Sequence, residues 1–378
     1  MRRLVLYLNQ KAWRFIMKVL LVDVGSTRIK WAVYDTKIKS DSESGGCLFP
    51  RRLDNPLAEV YEVSAEEIAA LFMDILRQKR KKIQGIFLSV QMHGYFLADE
   101  QGTLLTPYVS WRDRRAALKA ASGKSFLELF SEQYGQYIDS RAGTSLKDNL
   151  PVISLYANQY LFPELYEKSR VFYTLGSYLV YLLTGRNVTH ITDGAATGFY
   201  RVKECRPNGE LPVSLELPKV TRSFEQAGTW ESIPVFTPVG DHQASIYGCY
   251  EPGRKPYVLN LGTAAQISAL TDRPCDGAFE NRPYFDSRTL CTVSGLPGGR
   301  HILSVPEIED VMVEKYREAL EALPQRKSIV VTGGAAGHYP ELIDRVCGRL
   351  RLPYTVAHNA GALRGLSLLA DGIGEQAV

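Results

Sequence analysis

The chain has 378 residues, 45 basic against 41 acidic side chains and a formal net charge of +4, with 45% apolar residues. That length exceeds one ordinary core and suits two domains, and the interspersed charge provides no basic footprint for DNA or RNA. The six cysteines, Cys47, Cys205, Cys249, Cys275, Cys291 and Cys347, form no CxxC pair and stand near no histidine at metal spacing, which argues against a disulfide framework and against zinc.

No apolar run approaches the ~20 residues that span a bilayer, and the run Leu4 to Leu8 is too short for a signal peptide. A cytoplasmic protein without a membrane or nucleic-acid partner is the expectation. The basic stretch Arg2 to Arg14 reads either as a targeting segment or as a disposable extension, with Met17 as a natural beginning.

From Lys18 the sequence KVLLVDVGSTRIKWAVYD predicts a strand, a tight Gly-Ser-Thr turn and an alternating second strand. Ile68, Leu71, Phe72 and Ile75 recur at helical spacing over 64–79, ahead of the basic run Arg77 to Lys82. GIFLSVQMHG is then an apolar strand ending in polar residues, where chemistry usually sits. A mostly helical stretch is expected over 116–184 and an irregular polar segment over 220–238, which sets a boundary between domains 17–228 and 229–378.

The second half restarts the same grammar. YVLNLGTAAQISAL predicts a second hairpin, EIEDVMVEKYREALEAL a helix, SIVVTGGAAG a strand entering a glycine turn, and PELIDRVCGRL another helix, with a last helix opening at Gly361.

Several residues carry two readings. The turns Asp23 to Thr27 and Leu261 to Thr263 are ordinary hairpins or phosphate contacts, and the turn Thr332 to Gly337 is a plain Gly-rich loop or a place where a flat ligand approaches the backbone. Asp23 ends a buried strand, where a carboxylate needs a partner, water or a cation such as Mg²⁺. Gln91, Met92, His93 and Gly94, with Trp111 to Arg115, suit a polyhydroxylated ligand, although a lone His93 also reads as a satisfied core residue. Asp241, ahead of the small-residue run Ala244 to Gly248, is a helix cap or a base.

In order, these pieces resemble the FGGY carbohydrate kinases of the actin-like ATPase superfamily, from about Lys18 to Leu369. DVGSTRIKWAVYD looks like the first phosphate motif, SVQMHG with WRDRRA the sugar motif, PVGDHQASIYG the catalytic motif, NLGTAAQIS the second phosphate motif and VVTGGAAG the adenosine motif. GDHQAS, LGTAAQIS and RPYFDSRTLCTVSGLPGG look more like sedoheptulokinase than xylulokinase.

The resemblance implies an α/β fold of two ribonuclease H-like domains around a central cleft. The second domain would be shortened, because the chain passes almost directly from Gly299 to Pro306 where the family has a longer insertion. It implies a phosphotransferase using ATP and Mg²⁺ on a small sugar, as a monomer or homodimer. Asp241 would be the catalytic base, and Asp23 and Asp241 would hold Mg²⁺. Gly25, Ser26, Thr27, Lys30, Gly262 and Thr263 would face the phosphates, and Gly333, Gly334 and Ala335 the adenosine. Gln91, Met92, His93, Asp113, Asp241, His242 and Gln243 would line the sugar pocket, with Asp193 supporting it. Two other readings stand beside this one: a xylulokinase or other sugar or polyol kinase, and a catalytically weak sensor of nucleotide or sugar.

Overall fold

The computed structural model describes residues 18–250, 254–302, 304–305, 307–357 and 361–376. The expectations for Arg2 to Arg14 and for Met17 therefore fall outside the described residues. The chain divides into two compact units, Met1–His242 with Leu366–Val378, and Gln243–Gly365.

The first unit is built on one mixed sheet. Its centre is β1 (Lys18–Val24), whose apolar run is buried throughout except at Lys18, as a strand covered on both faces requires. β1 turns at Gly25 into antiparallel β2 (Arg28–Asp35), which pairs with β3 (Ser40–Leu48). Helix α1 (Ala65–Lys79) follows, its N-terminus capped by the Ser64 side chain, which accepts from the Glu67 N–H, and it buries Ile68, Phe72, Ile75 and Leu76. The chain then returns as β4 (Ile86–Val90), parallel to β1.

The stretch 116–184 is mostly helical, as expected. It holds α2 (Phe126–Ala142), α3 (Pro151–Leu161), the short helix Pro163–Lys168 and α4 (Leu175–Thr184), with the short strand Val171–Thr174 among them. That strand completes a small four-stranded sheet with Tyr95–Ala98, Tyr108–Val109 and Glu62–Val63. A second apolar cluster, including Tyr95, Phe130, Ile153, Phe172 and Phe199, forms there beside the main one.

The segment 220–238, by contrast, is not irregular. β5 (Gln226–Trp230) and β6 (Ile233–Phe236) form a hairpin on the first sheet, and β7 (Val239–Gly240) runs parallel to β4. Ala227, Trp230, Val235 and Phe236 anchor this edge in the core. The contact division consequently falls at His242/Gln243, downstream of residue 228. The sheet order is β5-β6-β4-β1-β2-β3, with β7 also on β4.

Helix α5 (Asp241–Tyr247) opens directly from β7. The second unit then repeats the first unit's plan. β8 (Tyr257–Leu261) and β9 (Ala265–Thr271) form the hairpin, β10 (Glu280–Pro283) and β11 (Thr289–Leu296) extend it, and β12 (Ile329–Thr332) and β13 (Tyr354–Val356) add in parallel on the far side of β8. The order is β10-β11-β9-β8-β12-β13. Helices α6 (Ile308–Ala322) and α7 (Pro340–Arg349) supply Met312, Tyr316, Ile343 and Val346 to its core. The last helix, α8 (Ala362–Gln376), carries Leu366 onward back to the first unit, where the Tyr34 hydroxyl donates to the Asp371 carboxylate. Among the described residues no helix is long and apolar enough to cross a membrane.

Candidate active site

Three parallel strands of the first unit end in one row. The register sets Asp23 of β1 beside Ser89 of β4, and Val239 and Gly240 of β7 beside Ser89 and Val90. The Gln91 N–H donates to the Val24 carbonyl at 2.9 Å. Gly25, Gln91 and Asp241 therefore leave adjacent strand ends, at the carboxyl edge where open α/β sheets bind ligands.

Asp23 is 9% exposed, and the Ser89 hydroxyl donates to its Oδ1 at 2.8 Å. Burial raises its pKa, opposed by the Ser89 hydrogen bond and by the charge of Lys30, its cross-strand neighbour on β2. The turn after β1 is closed by the Gly25 N–H donating to the Arg28 carbonyl. Ser26 there is half-buried, while Thr27 and Lys30 are exposed.

The turn after β4 is unusual. Both polar atoms of the Gln91 amide are buried without a hydrogen-bond partner among the described residues. Met92 is buried, and His93 takes a left-handed backbone with φ of 62°, a strained choice for a non-glycine residue and one that clusters at ligand sites. Gly94 follows with no room for a side chain, since a Cβ there would overlap the Tyr108 phenol oxygen.

Asp241 is held in place from behind. The Gly240 N–H donates to Thr192 Oγ1 at 3.1 Å, and the His190 N–H to the Pro238 carbonyl at 3.0 Å. His190 Nδ1 accepts from the Thr192 N–H, which leaves Nε2 to donate to the Arg222 carbonyl at 2.9 Å. Next to it, buried Asp193 accepts from Thr174 and Thr189 hydroxyls at 2.6 and 2.7 Å, and burial pushes its pKa up to about 6 against those two bonds. Asp241 itself is half-buried at the first position of α5, with Oδ1 accepting from the His242 N–H at 2.7 Å. His242 is buried.

Asp113 has a different setting. Its carboxylate accepts from the Tyr61 N–H and from the backbone, Nε and Nη2 of Arg115, all between 2.8 and 3.0 Å. Arg115 is 1% exposed and also donates to Glu62 and Asn158. Both Asp113 oxygens are engaged in this buried clamp.

In the second unit the turns after β8 and β12 come together. The Gly299 and Arg300 N–H groups donate to the Gly262 and Thr263 carbonyls at 2.9 and 3.1 Å. Gly333, with φ of 100°, lies so close to Leu261 and Asn260 that a Cβ would collide with both, and Ala335 packs within 3.3 Å of the position a Cβ on Gly299 would take. Gly262, Thr263, Gly333, Gly334 and Ala335 thus share one end of that sheet. Gln243 is buried, with Nε2 donating to the Pro283 carbonyl at 3.4 Å.

Ser89, Tyr108 and Thr192 were not evident from the sequence. Ser89 alone had a signal, a hydroxyl inside a wholly buried strand.

Two units of one repeated plan, each a hairpin flanked by parallel strands, define the two-domain actin-like ATPase fold. A xylulose kinase from Lactobacillus acidophilus shares it with a TM-score of 0.78 at 16% identity, covering 95% of this chain and 89% of that one. A Plasmodium falciparum glycerol kinase with ADP gives 0.77 at 13% identity, covering 96% and 93%. Residues 18–248 match the FGGY family of carbohydrate kinases, N-terminal domain, and the chain belongs to that family. It is 31% identical over 188 residues to a glycerol kinase of Koribacter versatilis, covering 43% of this chain and 35% of that protein. A xylulose kinase of Staphylococcus xylosus is 25% identical over 329 residues, covering 80% and 64%. In these sequence matches the chain spans 35% of the first glycerol kinase's length and 54% of one from Thermococcus kodakarensis.

Proposed function

We propose that the chain transfers the γ-phosphoryl group of ATP to a sugar hydroxyl, with Asp241 as general base. The observation that carries this reading is the common row of strand ends, which gathers Asp23, Gln91 and Asp241 at one sheet edge. Phosphoryl transfer asks the protein mainly for positioning and charge neutralisation. A sugar hydroxyl is a weak acid, so Asp241 orients it first and takes its proton late, as the bond to phosphorus forms.

In this reading Gly25, Ser26, Thr27, Lys30, Gly262 and Thr263 bind phosphate oxygens, and Gly333, Gly334 and Ala335 admit the adenosine. Gln91, Met92, His93, His242 and Gln243 meet the sugar. Asp113 acts through the Arg115 clamp, because its oxygens are already engaged.

Mg²⁺ fits Asp23 and Asp241, hard oxygen donors of which Asp23 is buried, where burial raises its pKa and a bound cation would favour its charged form. Among the described residues no group of three or more His, Cys, Asp or Glu could hold a metal. Two carboxylates suit an ion that keeps waters and phosphate oxygens as its other ligands. Bound there, Mg²⁺ would neutralise charge on the phosphates.

The substrate we propose is a ketose, with sedoheptulose first and xylulose second, and glycerol and rhamnulose as comparators named by relatives. The second domain is proposed to be a shortened one, on the short passage from Gly299–Ile302 to the helix beginning at Ile308. That passage also favours the second reading, a weak enzyme acting as a sensor. A coupled ADP assay across C3 to C7 polyols and ketoses tests both. Sugar-dependent ADP release supports the kinase, whereas sugar binding without ADP release supports the sensor.

A further inference from the structure

Tyr108 lies in the two-residue strand Tyr108–Val109, paired with Glu62–Val63 and with Tyr95. Its ring packs against Phe96 and Phe49, with centroids 5.2 and 6.2 Å away, and the residue is 0% exposed. Its hydroxyl has no hydrogen-bond partner among the described residues. A buried, unpaired hydroxyl carries a desolvation cost that nothing offsets, and phenylalanine would fill the same space without that cost. The fold therefore carries a polar atom that folding does not use.

Its position says what could use it. The oxygen rests on Gly94, at the end of the Gln91–Gly94 turn, and both atoms of the Gln91 amide are unpaired too. Burial and then the charges of Asp193 and Asp241 hold the phenol well above its usual pKa, so it stays a neutral donor within reach of both carboxylates' fields. The Oδ2 atom of Asp193 already accepts from both Thr174 and Thr189. A neutral hydroxyl, an amide and the Asp241 carboxylate make up a mixed donor and acceptor set that a polyol matches.

We propose that Tyr108 is a specificity-determining residue whose hydroxyl bonds one hydroxyl group of the bound sugar. The proposal rests on the reading that a sugar binds at these strand ends. It is tested with Tyr108→Phe, titrating wild type and variant by calorimetry without ATP against glycerol, xylulose, rhamnulose and sedoheptulose, alongside melting temperature and ADP release. The expected result is an unchanged or raised melting temperature and a sugar Kd weakened by about tenfold. A Kd within twofold of wild type overturns the proposal, and so does a melting temperature lowered by many degrees, which would give the hydroxyl a structural partner. A wild-type protein that binds a sugar but releases no ADP removes the kinase reading and leaves Tyr108 judged by the Kd ratio. A wild type that binds none of the four sugars at tens of millimolar overturns both.

Discussion

At the scale of single residues, two carboxylates near each other have separable jobs. Asp241 both accepts from the His242 N–H at the start of α5 and stands at the proposed reaction centre. Asp241→Asn keeps an acceptor oxygen for that N–H, and Asn caps helices about as well as Asp, yet it cannot take a proton. Turnover is expected to fall by ~10²-fold or more, with melting temperature within a few degrees of wild type; near-normal turnover would remove Asp241 from the mechanism. Asp193 is instead a matter of stability. Its folded pKa of about 6 lies above the ~3.9 of an unfolded Asp, so between those values the folded state binds the extra proton. Its contribution is favourable at low pH and is lost as pH rises through 6, by about 3 kcal/mol in all. Asp193→Asn lacks that titration, so its stability relative to wild type should be greater at pH 7 than at pH 4.5 in urea unfolding. An equal difference at both pH values would show that the carboxyl titrates normally.

At the scale of elements, the site depends on how helices seat the strand ends. In α4, Gly176 faces Pro238 and Val90: a Cβ would lie 2.9 Å from two Pro238 ring atoms and 3.1 Å from Val90 Cγ2. Alanine is the better helix former by about 1 kcal/mol, but the proline ring cannot swing aside, and overpacking costs about 1–3 kcal/mol. Gly176→Ala should therefore lower the melting temperature and also turnover, because Pro238 leads through β7 directly to Asp241; a stabilised variant would mean that propensity outweighs the overlap. The strand ends themselves were legible in the sequence, since KVLLVDV and GIFLSV are long apolar runs stopped by small or polar residues. The strand Val171–Thr174 was not, being four residues between helices whose apolar pattern runs on across it. The hairpin of β5 and β6 was hidden by Gly228 and Pro234, which read as loop residues but sit in a ladder with a register shift at Gln226/Gly228. Tyr108 was illegible for a different reason, because an unpaired hydroxyl is a property of packing and leaves no spacing to read.

At the scale of the whole molecule, the repeat of a hairpin with parallel neighbours was legible because VDVGSTR and LNLGTAA share one grammar. The path of the last helix was not. A sequence reading assigns α8 to the second half by position, yet from Leu366 it belongs to the first unit, where Tyr34 reaches Asp371. Three of its apolar residues are buried: Leu366 is 0% exposed, Leu369 8% and Ala370 4%. Leu366, Leu369 and Ala370 are thus buried in a stretch of helix assigned to the first unit, which predicts where damage to it will be felt. Leu366→Ala should cost about 2–5 kcal/mol, the range for truncating a buried leucine. Hydrogen exchange locates the loss. Faster exchange is expected in β1, β2 and β4 of the first unit, while amides of β8, β9 and β12 keep their protection. Protection lost first in the second unit would show that α8 stabilises the half it follows in sequence instead.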